Sequence, residues 1–161
     1  MRMTFPMQKI TPFLWFDDRA HDAARFYVSI FKNSKILSDD GADDEAADGR
    51  VSSVRFQLDG QELIAFNGGP HFKFTEAISL FVNCETQAEV DELWERLSDG
   101  GETSRCGWLK DKFGLSWQII PTVLGEMLND PDDEKSERAM SAMLTMTKID
   151  IAGLQRAVDG H

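Results

Sequence analysis

Residues able to do chemistry are few in this chain and widely spaced. The first candidates are polar side chains that interrupt apolar strand patterns. In Leu115–Ile120, alternation sends Trp117 and Ile119 to one side and Ser116, Gln118 and Ile120 to the other. The first side suits a core. The second puts a hydroxyl and an amide where a pocket would use them. The same alternation gives Phe13 and Trp15 on the stretch Ile10–Phe16, Arg55 and Gln57 on Arg50–Leu58, then Asn67 and Ser79 on the strands that follow, with Trp108 at a rim. Aromatic walls with a few fixed polar groups describe a small-molecule site. Arg55 suits an anionic or carbonyl oxygen. Gln118 suits one orienting hydrogen bond. The expected ligand-binding set is therefore Phe13, Trp15, Arg55, Gln57, Asn67, Ser79, Trp108, Ser116 and Gln118.

Other reactive groups have plainer explanations. His21 falls on a helix, His71 in an aromatic loop and His161 at the end of the chain. Of these, His71 is the one placed to touch a ligand, because loops carry function more often than regular elements. Cys106 would be a nucleophile if Lys110 lowered its pKa, but neither Cys84 nor Cys106 has a fixed histidine partner, and packing is the expected role. The stretch Gly114-Leu-Ser-Trp-Gln118 is not a nucleophile elbow. Asp39–Gly49 carries six acids without the ligand spacing of a calcium loop, so it reads as a solvated loop. Catalytic residues are not identifiable.

The elements that must carry these side chains follow from length and pattern. At 161 residues and 42% apolar, the chain suits one compact domain or two small fused modules. A formal charge of −11 argues against nucleic acid and anionic membrane surfaces as partners. Two cysteines without a framework point to a reducing cytoplasm. No segment approaches the roughly 20 apolar residues of a membrane span. Met1–Met7 reads as a short extension.

Strands are expected at Ile10–Phe16, Ser34–Leu37, Arg50–Leu58, Glu62–Phe66, Ala77–Asn83 and twice within Cys106–Pro121. Asp17 and Asp18 are expected to cap a helix, Ala20–Phe31. Thr86 with Glu89 makes a capping box for a second helix that Gly100-Gly101 ends. Asp59-Gly60 and Asp111–Gly114 read as turns. Beyond Pro121 the pattern gives a short turn at Val123–Leu128, then helices Glu134–Met146 and Asp150–Val158.

Two halves of this pattern superimpose. Shifted by 67 residues, Thr11–Phe16 falls on Ile78–Asn83, and Ala23, Phe26, Tyr27 and Ile30 fall on Val90, Leu93, Trp94 and Leu97. The later hairpins are offset by 54, the acidic loop accounting for the difference. Each half reads strand–helix–strand–strand–strand. Neither covers both faces of its sheet, so the two should pair.

This repeat, with Trp15-Phe-Asp-Asp18, Asn67-Gly-Gly-Pro-His-Phe-Lys-Phe74 and Cys106–Pro121, resembles the PhnB-like branch of the vicinal oxygen chelate superfamily. That branch includes proteins labelled 3-demethylubiquinone 3-methyltransferase. The resemblance implies an α+β fold of two paired βαβββ modules with curled mixed sheets, the glyoxalase/bleomycin resistance/dioxygenase fold, usually as a homodimer. It covers residues 8–122, with modules at about 8–70 and 75–121. Residues 123–161 would be a C-terminal helical extension.

In metal-dependent relatives, the resemblance places ion ligands near Thr11, Ala65, Ala77 and Gln118. None of these is His, Asp, Glu or Cys, and among their immediate neighbours only Glu76 could serve. No metal and no cofactor are expected. A nucleotide-type methyltransferase fold would need a Gly-rich strand-to-helix turn, and neither Gly68-Gly69 nor Gly100-Gly101 sits at one. The resulting reading is a metal-free, dimeric, cytoplasmic protein that sequesters a small aromatic or amphipathic molecule. The alternative is an enzyme of the same superfamily, a transferase as the label suggests, or a lyase or dioxygenase with displaced metal ligands.

Overall fold

The computed structural model describes residues 8–40 and 52–161. Most of the acidic stretch expected as a loop, residues 41–49, lies outside the described residues, as do Arg50 and Val51. The chain divides into two compact units, Met1–Lys73 and Phe74–His161. The fold is mixed α+β, with two open four-stranded sheets and helices.

In the first unit the elements are β1 (Phe13–Phe16), α1 (Ala20–Ile30), β2 (Lys35–Asp40), β3 (Ser52–Leu58) and β4 (Gln61–Asn67). The strand order is β1-β4-β3-β2. β1 runs parallel to β4, and the other pairs are antiparallel. Pro12 is tolerated because β1 is an edge strand. Asp59 (φ 47°) and Gly60 (φ 82°) are both left-handed, which gives the β3–β4 hairpin a turn whose twist matches its strands. Alternation buries Leu14, Phe16, Val54, Phe56, Leu58, Leu63 and Ala65 on one side, against Ala20, Ala23, Ala24, Tyr27 and Ile30 of α1. Each large side chain so buried contributes about 1.5–3 kcal/mol.

The start of α1 departs from the sequence reading. Neither Asp17 nor Asp18 caps it. Arg19 is the N-cap and makes no side-chain cap bond. The first free backbone N–H, that of Ala20, donates instead to Asn67 Oδ1 at 2.7 Å. A side chain from the end of β4 does what a local cap would otherwise do.

The second unit repeats the plan with β5 (Ser79–Cys84), α2 (Gln87–Ser98), β6 (Glu102–Thr103), β7 (Trp108–Lys110) and β8 (Ser116–Pro121), in the order β5-β8-β7-β6. Thr86 caps α2 by accepting from Glu89 N at 3.1 Å. Glu89 reaches back to Glu85 N at 3.0 Å. The β7–β8 turn is built on Asp111, which is buried. Its Oδ1 accepts from Phe113 N (2.8 Å) and Leu115 N (3.1 Å), and its Oδ2 from Trp117 Nε1 at 2.8 Å.

The register refines the internal repeat. Phe16 pairs with Asn67 and Cys84 with Pro121, so the strands are offset by 68 and 54 residues (84 − 16 and 121 − 67). The helices, which begin at Ala20 and Gln87, are offset by 67. Three residues join β1 to α1, and two join β5 to α2. A slip of one residue exchanges the faces of a strand, so the single 67-residue shift fits the helices but not β1 and β5.

Three helices complete this unit: α3 (Thr122–Leu128), α4 (Asp133–Met143) and α5 (Ile151–Val158). The stretch read as a short turn, Val123–Leu128, is thus helical. Ile120 of β8 joins Leu124, Met127, Ala139, Ile149, Leu154 and Val158 in one buried cluster. Among the described residues no helix is long and apolar enough to cross a membrane.

Candidate functional site

Each sheet has one side covered by its helix and one open side. In the first unit the open side carries Phe13, Trp15, Arg55 and Gln57, as the alternation requires. Trp15 is held firmly. Its Nε1 donates to Gly69 O at 2.9 Å, and its ring lies edge-on to Phe66 and Phe72, with centroids 5.0 and 4.9 Å away. Phe13 tilts against Phe66 at 5.1 Å. A Cβ at Gly68 would collide with the Trp15 and Phe66 rings, so only glycine lets the loop close over them. His71 stands edge-on to Trp15 at 6.5 Å.

The polar members of this set are already engaged. Arg55 lies in the same sheet as Glu62, and its Nε donates to Glu62 Oε1 at 2.8 Å. Its charge is answered within the sheet. Gln57 Nε2 donates to Asn33 O at 3.1 Å. Asn67 belongs to the covered side. Besides holding Ala20, its Nδ2 donates to Ser52 Oγ at 3.2 Å. His21 Nε2 lies 2.8 Å from Asp39 Oδ1.

The open side of the second sheet brings together Ser79, Trp108, Ser116 and Gln118. Ser116 pairs laterally with Ser79 and Lys110, and Gln118 with Phe81 and Trp108. Gln118 Nε2 donates to Ser79 Oγ at 2.9 Å. Ser116 is fully buried, and its Oγ has no hydrogen-bond partner among the described residues. A buried hydroxyl left so costs about 1–3 kcal/mol.

Ser116 lies on the wall of a cavity of about 490 Å³. Trp108 and Leu109 give it apolar surface. Cys106 and Arg105 line it at the β6–β7 hairpin tip, and Glu76, Glu102 and Lys110 supply charge. Lys110 forms an ion pair with Glu76. The hydrogen bond from Lys110 holds the Glu76 carboxyl below its ordinary value, and the same bond raises the Lys110 ammonium. Both stay charged across neutral pH. Glu76, Glu102, Arg105, Cys106 and Lys110 were not in the expected ligand set. Lys110 was legible, since it shares the parity of Trp108. Glu102 was not, because its strand is two residues long.

The positions that the resemblance assigns to an ion do not fit one. Ala65 is buried on the covered side, and Ala77 precedes β5. By register, the open-side counterpart of Gln118 is Ile64 (118 − 54), and that of Thr11 is Ser79 (11 + 68). Two hydroxyls, an isoleucine and an amide offer no anionic or imidazole donor to a divalent cation. Among the described residues no three His, Cys, Asp or Glu side chains group as a metal site.

Comparison with known proteins matches residues 8–120 to a family model described as 3-demethylubiquinone-9 3-methyltransferase. A PhnB protein from Bacillus cereus is 36% identical, over 71% of this chain and 99% of its own, with a TM-score of 0.64. Protein PA1353 from Pseudomonas aeruginosa shares the fold at 21% identity, over 71% of this chain and 98% of its own (TM-score 0.58). The fosfomycin resistance protein FosX from Listeria monocytogenes, in a complex with Mn(II) and sulfate, shares it at 18% identity, over 71% and 90% of the two chains (TM-score 0.51). No curated protein matches the chain.

Proposed function

The chain belongs to the 3-demethylubiquinone-9 3-methyltransferase family, in the PhnB-like branch of the vicinal oxygen chelate superfamily, and on that premise we propose that it binds a small aromatic or amphipathic molecule without a metal. The binding site is the cavity on the open side of β6, β7 and β8. The observation that carries this reading is Ser116, a buried hydroxyl on the cavity wall with no partner among the described residues. A ligand hydroxyl or carbonyl group would satisfy it, and Trp108 would face the body of the ligand. The protein works in the cytoplasm, which suits its two free thiols. It pairs with a second copy, which suits exposed Phe13, Ile78 and Phe81 and is tested by molar mass in solution.

The test is Ser116→Ala with phenol as the probe. Loss of the unpartnered hydroxyl removes its penalty, so the free protein is as stable as before or more stable by up to about 3 kcal/mol, while phenol binding weakens roughly tenfold. Equal phenol affinity in both proteins would refute the site.

The family description favours a second reading, a methyl transferase acting in the same cavity. Saturating S-adenosylmethionine, at about 100 times its Kd, would then stabilise the protein by about 2.7 kcal/mol. A melting temperature unmoved by S-adenosylmethionine and raised by phenol supports sequestration.

A further inference from the structure

The family match ends at residue 120, yet the segment that follows reaches back to a hairpin tip that lines the cavity. The tip of the β6–β7 hairpin carries two successive left-handed residues, Cys106 (φ 58°) and Gly107 (φ 83°). Such a backbone is costly at a non-glycine residue and persists only where its surroundings hold it. Here the C-terminal segment holds it. Cys106 N donates to Met146 O at 2.8 Å, and Gly107 N to Thr147 O at 2.7 Å. Gly107 is also pressed from the side, since a Cβ there would lie 2.7 Å from Ile120 Cδ1 and 3.2 Å from Ile149 Cγ1.

The segment is itself clamped to α2. Gln87 Nε2 donates to Ile149 O at 3.0 Å, and Gln87 Oε1 accepts from Ile151 N at 2.8 Å. Lys148 Nζ pairs with Asp91 at 3.0 Å. Ile149 is buried in the cluster of α3, α4 and α5. These helices cover Ile120, which shares the parity of Ser116 and Gln118 and so belongs to the open side of β8. Cys106 and Trp108, on either side of Gly107, both line the cavity.

We propose that the C-terminal segment is a specificity element of the cavity: by fixing the Cys106-Gly107 tip through Met146 and Thr147, it sets the size of the molecule that enters. This rests on the binding reading above. Gln87 and Ile149 are positioning residues, and neither lines the cavity.

Cys106 reports on the cavity directly. Its alkylation is followed by peptide mass in the full chain, with buried Cys84 as the internal control. Two reagents are used, iodoacetamide and a naphthyl iodoacetamide, each rate normalised to that on free cysteine. In the wild type the small reagent is favoured roughly tenfold, the scale on which a shaped pocket discriminates by size. Gln87→Ala and the milder Ile149→Val release the tip and bring the ratio towards one. A ratio near one in the wild type, or a ratio unmoved by both variants while their melting temperatures fall, overturns the proposal. Phenol separates the two readings. Variant-sensitive size selection without protection of Cys106 by phenol supports the element and sinks phenol binding. Protection by phenol with a ratio that both variants leave unchanged does the reverse.

Discussion

The side-chain amide of Gln118 donates to the hydroxyl of Ser79 at 2.9 Å, tying the parallel strands β8 and β5 together on their open side. The amide that looked available to a ligand is therefore used within the sheet. Ser116, two residues earlier, lines the cavity, and its hydroxyl has no hydrogen-bond partner among the described residues. The two neighbours should behave differently when replaced. Gln118→Leu should cost about 0.5–1.5 kcal/mol in urea denaturation and leave phenol affinity unchanged, whereas Ser116→Ala weakens it. Titration calorimetry of both variants checks the contrast.

Asn67 should prove structural. Its Oδ1 holds the first N–H of α1. Asn67→Ala should destabilise the protein by about 1–2 kcal/mol, in the range of lost helix caps. Phenol binding should not change. Chemical denaturation and calorimetry on the same variant would show a misassignment if affinity fell instead.

Asp111 should be among the most sensitive positions. Its carboxylate accepts from two backbone N–H groups and from the indole of Trp117. Asp111→Ala removes the acceptor of three donors, two of them buried, and should cost about 2–4 kcal/mol. The denaturation midpoint should fall with an unchanged slope.

The Glu76–Lys110 pair gives a signed dependence on pH. Glu76 titrates below its ordinary 4.5, so its contribution is present above 4.5 and is lost as pH falls through the lower folded value. Lys110 titrates above its ordinary 10.5, so its contribution is complete below 10.5 and is lost as pH rises through the higher folded value. The melting difference between wild type and Glu76→Gln should therefore be present at neutral pH and vanish at both extremes. Both groups are exposed, and the difference should be small. A difference that grows on acidification would contradict the pairing.

The two thiols should separate. Burial, with Glu89 and Glu85 adding to it, pushes the Cys84 thiol up to about 12. Cys106 is only half-buried. A disulfide reagent at mildly alkaline pH should titrate Cys106 in the native chain and both cysteines after denaturation. Fast labelling of Cys84 in the folded protein would contradict its burial.

Where a property is written in short-range pattern, it was legible without coordinates. Alternation in Ser116–Ile120 and in Phe13–Phe16 assigned the sides of β8 and β1 correctly, because a strand has a fixed two-residue period. Thr86 and Glu89 announced the start of α2, and Asp59-Gly60 announced a turn that requires two positive φ angles. The repeat was legible for the same reason. Its offset in the first strands was wrong by one residue, because a loop one residue shorter changes parity without leaving a mark in composition.

Partnership between distant residues was not legible. Arg55 looked free until β4 placed Glu62 beside it. Asn67 looked like part of a pocket until it was found capping α1 from 47 residues away. The cavity needed Glu76 and Glu102 to converge on Cys106 and the strand Trp108–Lys110. The sequence by itself determined the period, the capping of α2 and the doubled plan, since each depends on neighbours along the chain. The tertiary structure alone decided which buried polar groups are left without a partner among the described residues, since satisfying a hydrogen bond depends on what the fold brings within 3 Å or so.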